Sequence, residues 1–122
     1  FGLEDKYIDN PNLAHGKIAA ILMERDYGIT DRDIINAVSY HTTGRAGMSL
    51  LEKIIYIADA SEPGRNYPGV ERLRSEMKTD IDSAVLAALE STIKLVSDEG
   101  KFLDDDTVKA RDYLLERKTK DD

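Results

Sequence analysis

Apolar residues return at intervals of three and four along most of the chain, and no stretch alternates with the period of two that a half-buried strand requires. The pattern predicts five or six helices joined by short turns. Asn10-Pro11 offers a cap followed by proline at the first helical position, and Gly28 is a stop after Tyr27. Ile18, Ala19 and Leu22 share one face of the helix between them. Thr30 with Asp33 reads as a capping box that opens a helix carrying Ile34, Val38 and then His41, ended by Thr42-Thr43-Gly44. Ser49 with Glu52 is a second capping box, with Leu51, Ile54, Ile55 and Ala58 as the apolar stripe of the helix that follows. Pro63-Gly64 and Pro68-Gly69 bracket a loop, and a short helix spans Val70–Lys78. Asp80 caps the longest helix, with Ile81, Val85, Leu89 and Ile93 spaced along it up to Gly100. A last amphipathic helix runs from about Asp105 to Arg117, and residues 119–122 read as a frayed tail. The expected fold is all-α.

Composition narrows the picture. A chain of 122 residues has the size of one domain with a modest core. It contains no cysteine, which excludes disulfides and thiolate zinc sites and fits a reducing, cytoplasmic setting. No apolar run approaches the roughly 18 residues of a membrane span, so no membrane partner is expected. The net charge of −7 repels nucleic acid at long range, so an anionic substrate needs a local cluster of cations. The chain opens on Phe1 rather than methionine, which suggests a processed or incomplete polypeptide.

The two histidines are the first candidates for chemistry. His15 precedes Ile18, Ala19 and Leu22 by three, four and seven residues, and His41 follows Val38 and Ile34 by three and seven, so both are expected on buried faces. Asp59 follows Ile55 by four at the edge of the next apolar stripe. Three successive helices thus aim a metal-ligand residue type at one interior, where a metal ion would satisfy all three. The bland reading stands beside it: a lone histidine on an apolar face is commonly a core residue bonded to a carbonyl. Arg45, Lys53 and Arg65 lie close to these positions in sequence. Arginine grips phosphate bidentately and lysine supplies a point charge, while Thr42 and Thr43 add hydroxyls and Gly44 permits close backbone approach. Arg45 and Arg65 are expected to flank one opening.

The stretches Leu13-Ala14-His15-Gly16, Tyr40-His41-Thr42-Thr43-Gly44-Arg45, Met48 through Ile54, and Ala58-Asp59 through Glu62-Pro63-Gly64-Arg65 resemble the YqeK-type HD-domain hydrolases, the bacterial symmetrical diadenosine tetraphosphatases. The Tyr-Pro-Gly-Val run at 67–70 adds to the likeness, which covers about Pro11 to Leu115. The resemblance implies an HD-like helical bundle that binds a metal pair, iron by expectation with manganese or zinc as alternatives. It implies cleavage of diadenosine tetraphosphate into two ADP, and a homodimer. By resemblance His15, His41 and Asp59 match the later metal ligands, and Thr42, Thr43, Gly44, Arg45, Lys53 and Arg65 the substrate-binding set. The family's earlier histidine and its histidine–aspartate doublet have no counterpart, so residues 1–122 are expected to form a partial HD domain without its N-terminal helices. Ala14 and Ala60-Ser61 also depart, being smaller than the pattern leads one to expect. No general acid is assigned. Two other readings stay open: a different HD phosphohydrolase, such as a nucleotidase or cyclic-nucleotide phosphodiesterase, and a non-catalytic helical binding module.

Overall fold

Seven helices and no strand form among residues 3–121, which the computed structural model describes, with backbone alone at Ile8, Asn12 and residues 119–121. They are α1 (Asp5–Ile8), α2 (Pro11–Tyr27), α3 (Arg32–Ser39), α4 (Leu50–Ser61), α5 (Val70–Glu76), α6 (Ile81–Asp98) and α7 (Asp105–Asp121). Local signals place most of the boundaries. Gly28 sits at φ 67° and returns its N–H to the Met23 carbonyl, a left-handed helix cap that favours glycine. Ser49 and Glu52 form both halves of their capping box, and Asp80 accepts from the Ser83 amide.

Several boundaries differ from the sequence expectation, among them the end of α5, at Glu76 rather than Lys78. The cap of α3 is Asp31, whose carboxylate accepts from the amides of Asp33 and Ile34; Thr30 stands one residue too early. That helix ends at Ser39, so His41 lies in the turn beyond it rather than on its face. The short α1 had no periodic signal, being only four residues long. At the C-terminus α7 continues to Asp121, and Asp122, the end of the expected tail, lies outside the described residues.

α6 is the centre of the core. It packs on α4, α5 and α7, which is why every residue from Ala84 to Leu89 is buried instead of a single stripe. Val85, Leu89 and, from α5, Leu73 have no solvent exposure. Truncating such a side chain to alanine typically costs about 2–5 kcal/mol. α2, by contrast, packs only on α1 and α3. α1–α2 and α5–α6–α7 are thus joined through α3 and α4 and, at one end, by Lys6 of α1 reaching Asp104 ahead of α7 at 3.3 Å, while a cleft opens between α2 and α6.

The stripe assigned to α4 needs correction. Ile54, Ile55 and Ala58 are exposed and Leu51 is half-buried, whereas Glu52, Tyr56 and Ile57 face the core. α4 is apolar on two sides, so periodicity could not tell which one α6 takes. The burial of Glu52, a charged residue, hid the correct side.

No helix among the described residues is long and apolar enough to cross a membrane.

Candidate metal and phosphate site

Beyond α3 the chain turns through Tyr40–Gly44, with the Gly44 amide closing on the Tyr40 carbonyl at 2.8 Å and Gly44 itself at φ 71°. This turn carries His41. Its Nδ1 lies 2.6 Å from the Val38 carbonyl oxygen, and a carbonyl can only accept, so Nδ1 donates there and Nε2 is the atom turned toward His15. From α2, His15 brings its own Nε2 to 3.0 Å from that atom, with the two rings edge to face at 71°.

Gly16 makes the meeting possible. A Cβ at this position would stand 2.9 Å from the Val38 carbonyl oxygen and 3.2 Å from two atoms of the His41 ring. Without one, α2 lies directly against the end of α3.

The pair opens into a cleft of about 500 Å³ that also receives Thr42, Asp59 and Arg65. His15 is exposed rather than buried, because the face of α2 that carries it meets no other helix across the cleft. Asp59, in the last turn of α4, is likewise exposed. Arg65 spans it, donating from Nε to the Asp59 carbonyl at 3.1 Å and from Nη2 to its Oδ1 at 3.3 Å. Arg74 fastens this loop from α5, donating to the carbonyls of Ser61, Glu62 and Arg65 at 3.0 to 3.4 Å. Thr42 Oγ1 is buried without a hydrogen-bond partner among the described residues. The opposite wall comes from α6, through Ser91, Thr92, Leu95 and Val96, with Tyr56 and Tyr67 beside it.

Other residues expected at the site stand elsewhere. Arg45 does not line the cleft with Arg65. Its guanidinium forks onto Glu52, Nε to Oε1 at 2.6 Å and Nη2 to Oε2 at 2.9 Å, and rests 5.0 Å from the centre of the Tyr40 ring. Glu52 is almost fully buried, and burial pushes its carboxyl upward. The Arg45 fork and the Ser49 amide and hydroxyl outweigh this and hold it below the ordinary 4.5. Lys53 pairs with Asp82 at 2.7 Å. Thr43 is buried; its hydroxyl donates to the Gly44 carbonyl, and its own carbonyl accepts from Thr107 of α7. Thr43, Gly44 and Arg45 thus fix the His41 turn onto the core, while Thr42 alone of that run reaches the cleft.

The donor set can be tested against a metal. Two imidazole nitrogens each about 2.0–2.1 Å from one ion stand about 3 Å apart when they bind at near right angles, and the histidine pair has that separation. The Val38 carbonyl orients His41 as such ligands are commonly oriented. Asp59 shares the cleft but is occupied by Arg65, and no group of three or more His, Cys, Asp or Glu among the described residues is gathered tightly enough to hold an ion as it stands. The pair has the spacing of two adjacent positions of one metal, and the Asp59 carboxylate lines the same cleft.

With this geometry established, known proteins give a consistent comparison. The chain is 39% identical over 106 residues to the symmetrical bis(5'-nucleosyl)-tetraphosphatase of Bacillus subtilis, covering 87% of this chain and 57% of that protein. It is 41% identical over 103 residues to the protein of the same name from Halalkalibacterium halodurans, covering 84% and 55%. A crystal structure from Clostridium acetobutylicum, described as a predicted HD superfamily hydrolase involved in NAD metabolism, superposes with a TM-score of 0.86 at 49% identity, over 96% of this chain and 62% of that one. No family model matches. The chain thus spans little more than half the length of the curated relatives it matches.

The fold is that of an HD superfamily hydrolase. Within that superfamily, the curated proteins it is similar to carry the name symmetrical bis(5'-nucleosyl)-tetraphosphatase.

Gly16, Tyr56, Tyr67 and Arg74 were not singled out for the site from the pattern of residues. Gly16 adjoins His15, and a glycine inside a strong helix is a recognised sign of close approach. Arg74 gave no signal, since its partners are carbonyls of another segment.

Proposed function

We propose that this chain supplies the later metal ligands and part of the phosphate-binding surface of an enzyme that cleaves diadenosine tetraphosphate symmetrically into two ADP. The observation that carries the reading is the convergence of His15 Nε2 and His41 Nε2 at 3.0 Å in a cleft shared with Asp59 and Arg65. Its support in kinship is the shared name of the relatives. His15, His41 and Asp59 would supply part of the donor set of a divalent pair, with iron preferred and manganese or zinc admitted by the imidazole–carboxylate donors. Such ions polarise phosphoryl oxygens and supply hydroxide at neutral pH. Arg65 would take a phosphate oxygen in place of Asp59, since its fork suits either anion. Thr42 offers its unpartnered hydroxyl to the same oxygens. Arg45, Lys53, Thr43 and Gly44 act one step back, by holding the turn and helix that carry His41 and Asp59. The proposed setting is a cytoplasmic homodimer.

The test is product analysis with the full-length protein loaded with iron or manganese. ADP as sole product is expected. Equal amounts of AMP and ATP would exclude symmetrical cleavage, and intact substrate would exclude the activity. The description of the Clostridium acetobutylicum neighbour favours a second reading, a hydrolase of another nucleotide of NAD metabolism, and NAD belongs in the same assay.

A further inference from the structure

The cleft has two chemically different walls. One carries His15, His41 and Asp59; the other, from α6, is largely aliphatic, and the loop before α5 adds Arg65 and, two residues on, Tyr67. α2 and α6 make no contact, so the cleft lies open between His15 and the α6 side, while α4, which carries Asp59, packs on α6. The ion and phosphates account for the first wall and leave the second without a task.

Tyr67 is the distinctive member of that second wall. It lies in the loop between α4 and α5 and is half-buried. Its hydroxyl donates to the Ala60 carbonyl at 2.7 Å, which fixes the ring at the cleft edge. Leu95 and Val96 line the same wall. Ser91 comes close to the Tyr67–Gly69 loop because Gly69, at φ 101°, has no Cβ; one built there would lie 2.2 Å from Ser91 Oγ. A fixed aromatic ring beside aliphatic side chains and the Ser91 hydroxyl is a surface for a flat heteroaromatic ring with polar edges, which stacks on one and hydrogen-bonds to the other.

We infer that the Tyr67 wall, with Leu95 and Val96, is the nucleoside-docking end of the cleft, and that Tyr67 is a specificity-determining residue that stacks on the base of one ADP half. The inference rests on the dinucleoside tetraphosphate reading and adds to it which wall takes the base. It also orients the substrate, with the base toward α6 and phosphates toward Arg65 and the histidines. The hydroxyl of Tyr67 serves to hold the ring and does not touch the ligand.

The experiment compares two probes on the metal-loaded full-length protein by titration calorimetry: ADP, which carries a base, and inorganic pyrophosphate, which does not. Tyr67→Leu removes the ring and keeps an apolar side chain, and Tyr67→Phe keeps the ring and removes its anchor. Tyr67→Leu is expected to weaken ADP about tenfold, within the range of base–aromatic stacking, and to leave pyrophosphate unchanged. Tyr67→Phe is expected to stay within about threefold for both. A wild-type enzyme that cleaves diadenosine tetraphosphate while Tyr67→Leu binds ADP undiminished would overturn the docking wall alone. Equal weakening of ADP and pyrophosphate would also overturn it, by making Tyr67 a general support of the site. A wild type that neither cleaves the tetraphosphate nor binds ADP would overturn both readings. Far-UV circular dichroism of each variant separates these outcomes from loss of fold.

Discussion

His15 and His41 meet through their Nε2 atoms at 3.0 Å across 26 residues of sequence, and what admits the contact is the bare Cα of Gly16. The substitution Gly16→Ala forces a methyl to 2.9 Å from the Val38 carbonyl oxygen, which is backbone and cannot swing aside, and to 3.2 Å from the His41 ring. Alanine has the better helix propensity by about 1 kcal/mol, so an unconstrained glycine would gain stability from the change. Here overpacking wins, and a net loss of about 1–2 kcal/mol is expected. Urea unfolding gives the sign directly. A stabilised variant would show that α2 and α3 are not in contact at this point.

Arg45 yields a prediction about acid stability instead of phosphate affinity. The Glu52 carboxyl is held below its ordinary 4.5 in the folded chain: burial opposes ionisation, and the Arg45 fork and Ser49 bonds outweigh it. A depressed carboxyl contributes stability in full above its unfolded value and loses it as pH falls through the folded one. The wild type should therefore lose stability below about pH 4.5, and Glu52→Gln should lose less over the same interval. At neutral pH, Glu52→Ala should cost about 2–3 kcal/mol, less than a wholly buried pair because Arg45 reaches solvent. Urea midpoints at pH 7 and pH 4 for the three proteins check both. Parallel pH dependence in wild type and Glu52→Gln would remove this ion pair from the account.

Much of the helical framework was legible because caps and periods are local. Asn10-Pro11, Gly28, Ser49–Glu52 and Asp80 each announce a boundary within four residues. The candidate site was legible through its rare residue types: His15, His41, Asp59 and Arg65 do share a cleft. The failures have a common cause, which is pairing at a distance. Arg45 looked available for phosphate because nothing local says that Glu52, seven residues on, turns inward to meet it. Lys53 is taken by Asp82 from another helix. The exposed side of α4 could not be known without knowing where α6 lands.

That exposed side has its own consequence. Leu50, Ile54 and Ile55 are 62%, 44% and 38% exposed, and Ile54 lies one turn beyond Leu50 on the same helix face. A contiguous apolar surface of this kind drives association. The 122-residue chain should sediment as a concentration-dependent mixture, and Ile54→Lys with Leu50→Lys should shift it toward monomer without lowering its unfolding midpoint. Sedimentation velocity over a hundredfold concentration range tests this. A strictly monomeric wild type would mean that the face is too divided by polar neighbours to act.

The number of ions this chain can hold follows from its donors. His15 and His41 present two nitrogens at a spacing that suits one ion, and Asp59 lines the same cleft while paired with Arg65. Three protein ligands suffice for one catalytic-type ion with open positions, whereas a pair of ions about 3.5–4 Å apart shares more donors than the described residues gather. The 122-residue chain should therefore bind one divalent ion at most. His15→Ala should abolish binding, because it removes half of the nitrogen donors. Asp59→Asn should weaken it, since an amide is a poorer donor than a carboxylate, and Arg65→Ala should strengthen it by freeing Asp59 from its competing cation. That last sign is the informative one: phosphate affinity and metal affinity should move in opposite directions in Arg65→Ala. Anaerobic iron or manganese titration followed by calorimetry with pyrophosphate measures both. Two tightly bound ions, or a Arg65→Ala variant with weaker metal binding, would place the ligands elsewhere than on this pair and its neighbouring carboxylate.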